Sequence, residues 1–240
     1  MGAYYFLISL LPPLPIALGD KLAVSFPDIS RILRRNIDPS DDQLLRAQLS
    51  VIDAANWESM DQGRDFFLEG GNVSREEMET RQDLPNFIRV FIDEKERGIR
   101  RSHIYDRLWE LCYSALLERA EEEGCRYLID YTVWEIELRN RLTALRLRET
   151  EKNVADHTIM PSTRSFDFTA LISQLESIKN PLEAERYIDA ERLKQIFHCQ
   201  GADPFSFNAI LAFLSSTAIY SRWEKLMIRY DIHNFLYSGG

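Results

Sequence analysis

Apolar residues return every three or four positions through most of this 240-residue chain, and the breaks between periodic stretches carry helix start and stop signals. The dominant period is helical, which predicts a mainly α, multi-helical bundle. Ser25 is placed to cap a short helix containing Ile29, Ile32 and Leu33, and Ser40 with Gln43 forms a capping-box pattern ahead of Leu44, Leu45, Leu49 and Ile52. Gly70-Gly71 break the chain. Ser74 and Glu77 offer a second capping box, Pro85 interrupts or kinks, and Phe87, Phe91 and Ile92 carry the apolar face on to Gly98. Ser102 can cap the strongest single helix, in which Ile104, Leu108, Leu111, Cys112, Ala115 and Leu116 form one stripe and Gly124 stands where a C′ residue belongs.

A second long helix is predicted from Arg126 to about Lys152, then a loop over 153–165 containing Pro161, then a shorter helix from about Phe168 to Lys179. Asn180-Pro181 and Asp203-Pro204 each supply a cap and a first-turn proline, so two further helices follow, the first ending near Gly201 and the last reaching Leu236. The domain expectation is one helical domain over 1–240, or two lobes at about 1–98 and 99–240.

The amino terminus is different. Residues 3–11 form a nearly unbroken apolar run, too short for a membrane span and without the basic start and cleavage site of a signal peptide. Tyr4, Tyr5, Phe6 and Ile8 have strand character, and Pro12-Pro13 end any ladder or helix, so a short extended segment buried in the mature fold is expected.

Composition excludes several functions. A net charge of −9 disfavours a general nucleic-acid binder, which needs clustered Lys and Arg, and suits a basic partner. Cys112, Cys125 and Cys199 are widely spaced with no CxxC pair, as expected of buried thiols in a reducing cytoplasm. No phosphate-binding loop, dinucleotide fingerprint or nucleophile elbow is present, so neither ATP binding nor hydrolysis is expected of this chain. Of His103, His157, His198 and His233, none stands at helical ligand spacing from another, and no metal or other cofactor is expected. His198-Cys199 are adjacent and point apart on a helix; Asp156-His157 fall in the loop, where an exposed histidine is expected. The acidic run Glu118, Glu121, Glu122 and Glu123 precedes Gly124 at a helix end, where acid opposes the dipole. Glu118, Glu121 and Glu122 are therefore candidate partner-binding residues, with a solvated helix end as the plainer reading.

Tyr-x-x-Trp-Glu occurs twice, at 131–135 and 220–224, as simple one-face packing or as a trace of an internal repeat. The order Tyr4-Tyr5-Phe6-Leu7-Ile8-Ser9-Leu10-Leu11-Pro12, followed by Gly19-Asp20-Lys21, resembles the amino terminus of an uncharacterised bacterial family encoded among V-type ATPase subunits. That family is similar to divergent versions of the C-type rotor component of those machines, called d in eukaryotes. Asp53-Ala54-Ala55-Asn56 resembles its Asp-x-x-Asn helix motif, and residues 135–148 resemble its Asn-to-Arg helix segment. The resemblance implies degenerate helical repeats and a non-catalytic role coupling the central shaft to the membrane rotor ring during proton or sodium transport. It also implies a cytoplasmic position peripheral to the membrane, touched only through the ring. The C-type rotor component is about a hundred residues longer, so one helical unit is expected to be missing or abbreviated here. An unrelated helical adaptor or assembly factor, binding a soluble protein through an acidic surface, is the alternative.

Overall fold

Two helical units follow one another along the chain, each made of a long helix, a loop, a short helix, a middle helix and another long helix. The computed structural model describes residues 4–99, 103–148, 150, 152–161 and 164–237. The described residues form ten α-helices and one 3-10 turn, about 70% helix, and no strand occurs among them. A preamble of α1 (Tyr5–Leu10) and α2 (Phe26–Asn36) leads into the first unit: α3 (Pro39–Asp61), α4 (Arg75–Thr80), α5 (Asn86–Glu96) and α6 (Ile104–Glu122). The second comprises α7 (Arg126–Leu147), a 3-10 turn (Val154–His157), α8 (Thr169–Ser177), α9 (Pro181–Gln200) and α10 (Phe207–Tyr237).

Local chemistry explains most boundaries. Ser25 Oγ accepts from Asp28 N at 3.3 Å, and Ser74 with Glu77 completes a reciprocal capping box. Gly124 takes φ +64°, and the Gly124 and Cys125 amides return to the carbonyls of Glu121 and Ala120, closing α6 in a Schellman turn. Asn180 Oδ1 caps α9 through Leu182 N at 2.9 Å. Other boundaries move. Helix α3 starts at Pro39, ahead of the Ser40 pattern; α7 ends at Leu147, short of Lys152. Helix α10 starts beyond Asp203-Pro204, with Ser206 Oγ accepting from Ala209 N at 3.3 Å, because the Asp203 side chain is used on Phe205 N in the preceding turn. Pro85 kinks nothing, since it stands before α5 rather than inside a helix. The Ser102 cap lies outside the described residues.

The expected extended segment at the amino terminus is corrected: residues 5–10 are helical, and only from Leu11 is the backbone extended. Its aromatic and branched residues favour strands in isolation, but tertiary packing decides. Tyr4 and Leu7 lie one helical turn apart and are both buried, whereas Tyr5, Phe6 and Leu10 face out, so burial is one-sided rather than general. Tyr4 pins the turn: its N–H donates to Phe205 O at 2.8 Å and its hydroxyl donates to the buried Asp41 carboxylate.

Three apolar clusters fill the interior. The first joins Leu7, Phe26, Ile29 and Leu33 to Leu44, Leu45 and Leu49 of α3 and to Ile210, Leu211 and Leu214 of α10. The second is the core of the first unit, with Trp57, Met78, Ile88, Phe91, Leu108 and Cys112; the third belongs to the second unit, with Trp134, Leu138, Leu142, Phe168, Leu171 and Ile188. Helix α3 packs along α6, α7 packs against α9 and α10, and α6 against α7 holds the units together.

Candidate functional site

Both units carry the same backbone clamp. In α3, fully buried Asn56 donates through Nδ2 to Leu68 O at 2.9 Å and accepts from Leu68 N at 2.8 Å. In α7, buried Asn140 donates to Ile159 O at 2.8 Å and accepts from Ile159 N at 3.0 Å. Each asparagine thus replaces, for one loop residue, the pairing a neighbouring strand would give, and ties the loop after a long helix to that helix. An acid stands three residues before each one, Asp53 and Glu137. Asp53 Oδ1 accepts from the amides of Asn72 and Val73, and Oδ2 from Asn72 Nδ2. Burial raises the Asp53 carboxyl to about 6, against the opposing pull of those hydrogen bonds. Gly71 is there because a Cβ would collide with that carboxylate. The asparagine clamp, rather than Tyr-x-x-Trp-Glu, is the feature the two units share; the acid-x-x-Asn spacing does not mark it, since it also occurs at 69–72, 83–86 and 231–234. The two pentapeptides sit differently: Trp134 packs on Phe168, whereas Trp223 Nε1 donates to Asp189 at 2.6 Å.

Where α7, α9 and α10 converge, charged side chains interlock. Arg192 grips Glu135 with two bonds, Nε to Oε2 at 2.9 Å and Nη2 to Oε1 at 2.6 Å, and donates through Nη1 to Asp189 at 2.9 Å. Asp189, 1% exposed, also accepts from Arg222 and Trp223. Burial works against the Arg192 charge, yet Glu135 and Asp189 hold it above the ordinary guanidinium value. The network divides two spaces. On one side is a mainly apolar cavity of about 380 Å³, bounded by Phe26, Leu49, Tyr113 and Tyr131 among others. Gln48 also lines it, donating to Leu211 O and Ser215 Oγ while its own oxygen has no partner. On the other side a polar cleft of about 460 Å³ is lined by four arginines (139, 146, 192 and 222) and by Glu58, Asp106, Glu135 and Glu185. Both carboxylates at the partition are committed to guanidinium groups, which fixes helix geometry and leaves neither as a free base.

The surface offers a different kind of site. A groove of about 500 Å³ runs between the proline-rich segment after α1 and the faces of α9 and α10, lined by Leu11, Pro12, Pro13, Leu193, Phe197 and Phe213. Phe197 is 74% exposed there, and on α1 Phe6 is 70% exposed.

Glu118, Glu121 and Glu122 are solvent-exposed at the end of α6 and line neither internal space. Arg119 pairs with Glu122 at 2.8 Å, offsetting the unfavourable dipole interaction. His157, expected to be exposed, is 7% exposed because Asn140 draws Ile159, two residues on, against α7. Cys112 and Cys125 are buried and Cys199 half-buried; all three thiols are pushed up, first by burial. No described helix is long and apolar enough to cross a membrane.

The family described as "Protein of unknown function (DUF2764)" has a model that matches residues 1–230, and the chain belongs to that family. No curated protein and no solved structure matches it.

Proposed function

We propose that this family member is a non-catalytic part of a V-type ATPase, standing where the C-type rotor component stands between the central shaft and the membrane rotor ring. The observation that carries the reading is the pair of successive helical units, each with an asparagine that clamps the loop after its first long helix, because the resemblance at residues 4–12, 19–21 and 53–56 implies a protein built from repeated helical units. Loops tied to their helices, and α7, α9 and α10 locked by paired charges, give the resistance to shear that torque transmission requires.

In this reading the partners contact outer faces. A cavity of 380 Å³ has the size of a small-molecule or side-chain pocket, whereas each helix of a shaft is about 10–12 Å across. The apolar groove at α9 and α10, with exposed Phe197 beside it, suits a packed contact with another protein of the rotor, and the acidic end of α6 suits a basic rim. The ring would then hold the protein at the cytoplasmic face, for proton or sodium transport. The same groove suits the second reading, an adaptor or assembly factor for a soluble protein. Affinity purification of the tagged chain from native membranes separates them: V-type ATPase shaft and ring proteins co-purify under the rotor reading. Recovery of the chain with soluble proteins alone supports the adaptor.

A further inference from the structure

We propose that His103, Asp106 and His157 form a binding site for one divalent transition-metal ion of the zinc class, joining the two helical units. Their ligating atoms lie within 4.8 Å of one another. His103 precedes α6 and Asp106 lies in its first turn, both in the first unit; His157 ends the 3-10 turn of the second. The chain positions are 54 residues apart, and the fold brings the two imidazoles edge to face with centroids 4.3 Å apart. The Asn140 clamp on Ile159 and the Asn153 bond to Ala155 N hold the turn that presents His157.

Two imidazoles and one carboxylate are a common donor set for zinc, with water able to complete a tetrahedron. Bonds of about 2.1 Å place tetrahedral donors about 3.4 Å apart, so the cluster closes with side-chain movement of about 1.4 Å. His103 is exposed and free to turn, while buried His157 supplies the fixed ligand. Neither imidazole has a hydrogen-bond partner among the described residues, so both keep a nitrogen for the ion. Asp106 Oδ1 accepts from Arg139 Nη2 at 3.2 Å, with that guanidinium resting on Trp109; Oδ2 has no partner among the described residues and faces the metal in this proposal, with Arg139 orienting the carboxylate. Among the described residues, Arg139, Arg146, Arg192 and Arg222 and the carboxylates of Glu58, Asp106, Glu135 and Glu185 line the surrounding cleft.

The test uses the full chain, stripped with chelator and titrated with Zn²⁺, with melting temperature and Co²⁺ absorption as independent readouts. The expected result is one Zn²⁺ per chain, a rise in Tm on binding, and a Co²⁺ visible band of tetrahedral intensity. His103→Ala removes an exposed ligand without touching the core and weakens binding at least tenfold, with loss of the Tm rise and the band. Cys199→Ser leaves all three unchanged, which separates this site from the His198-Cys199 pair. Unchanged affinity in His103→Ala, or no Zn²⁺ bound at 100 µM free metal (about a hundred times the micromolar affinity of a weak three-ligand site), overturns the proposal.

Discussion

Replacing Asn56 with alanine tests the clamp most sharply, because it removes a side chain that makes two hydrogen bonds to a single loop residue, at 2.8 and 2.9 Å, with no exposure to water. Leu68 would be left with an amide and a carbonyl buried and unpaired. Each such group costs about 1–3 kcal/mol, so the substitution should destabilise by about 2–6 kcal/mol unless water enters. That is a large part of the roughly 5–15 kcal/mol that holds a domain folded. Asn140→Ala should fall in the same range, toward its lower end, because Asn140 keeps 8% exposure and water can reach the gap. The two sites share no partner, so the double variant should approach the sum, provided that it still folds. Urea titration monitored by circular dichroism gives these values. A loss below about 1 kcal/mol at both sites would refute the claim that the asparagines hold these loops against their helices.

Further outcomes follow from individual groups. Asp53 has its carboxyl raised from 3.8 to about 6, so the folded state binds the proton more tightly and stability falls as pH rises through that window. Relative to Asp53→Asn, the parent chain should lose about 2 kcal/mol between pH 4 and pH 7, measured by urea titration at each pH; a flat difference contradicts the assignment. Reversing Glu118, Glu121 and Glu122 to Lys should change stability by less than about 1 kcal/mol, since these side chains are exposed and only a surface pair is lost, while slowing association with the shaft or ring in a salt-dependent way. Thiol labelling of the native protein should modify Cys199 first, with Cys112 and Cys125 reacting only on unfolding; early reaction of Cys112 would contradict its burial.

Helices with a polar cap at one end and glycine at the other were legible in the sequence, because those signals act over one turn: Ser25, Ser74, Gly124 and Asn180 all perform the expected roles. The amino-terminal run misled because its strand propensity is a local preference, and the winning term was burial of Tyr4 and Leu7 against elements about 40 and 200 residues away in sequence. The charged network was beyond reach for the same reason. Glu135, Asp189 and Arg222 show no common spacing, and only the packing of α7, α9 and α10 brings them to Arg192. His103 and His157 likewise meet only through the loop drawn in by Asn140. The paired clamps were not legible, because acid-x-x-Asn also occurs at 69–72, 83–86 and 231–234, and Asn56 and Asn140 read as ordinary helix residues until the loops they clamp are in place.

The rotor assignment is tested most directly by proton or sodium pumping in native membrane vesicles from cells with and without this chain, with ATP hydrolysis followed in the same preparation. Without the chain, pumping should be lost or strongly reduced while hydrolysis by the catalytic part of the machine persists uncoupled, and adding back the purified chain should restore coupling. Normal pumping in vesicles lacking the chain would contradict it.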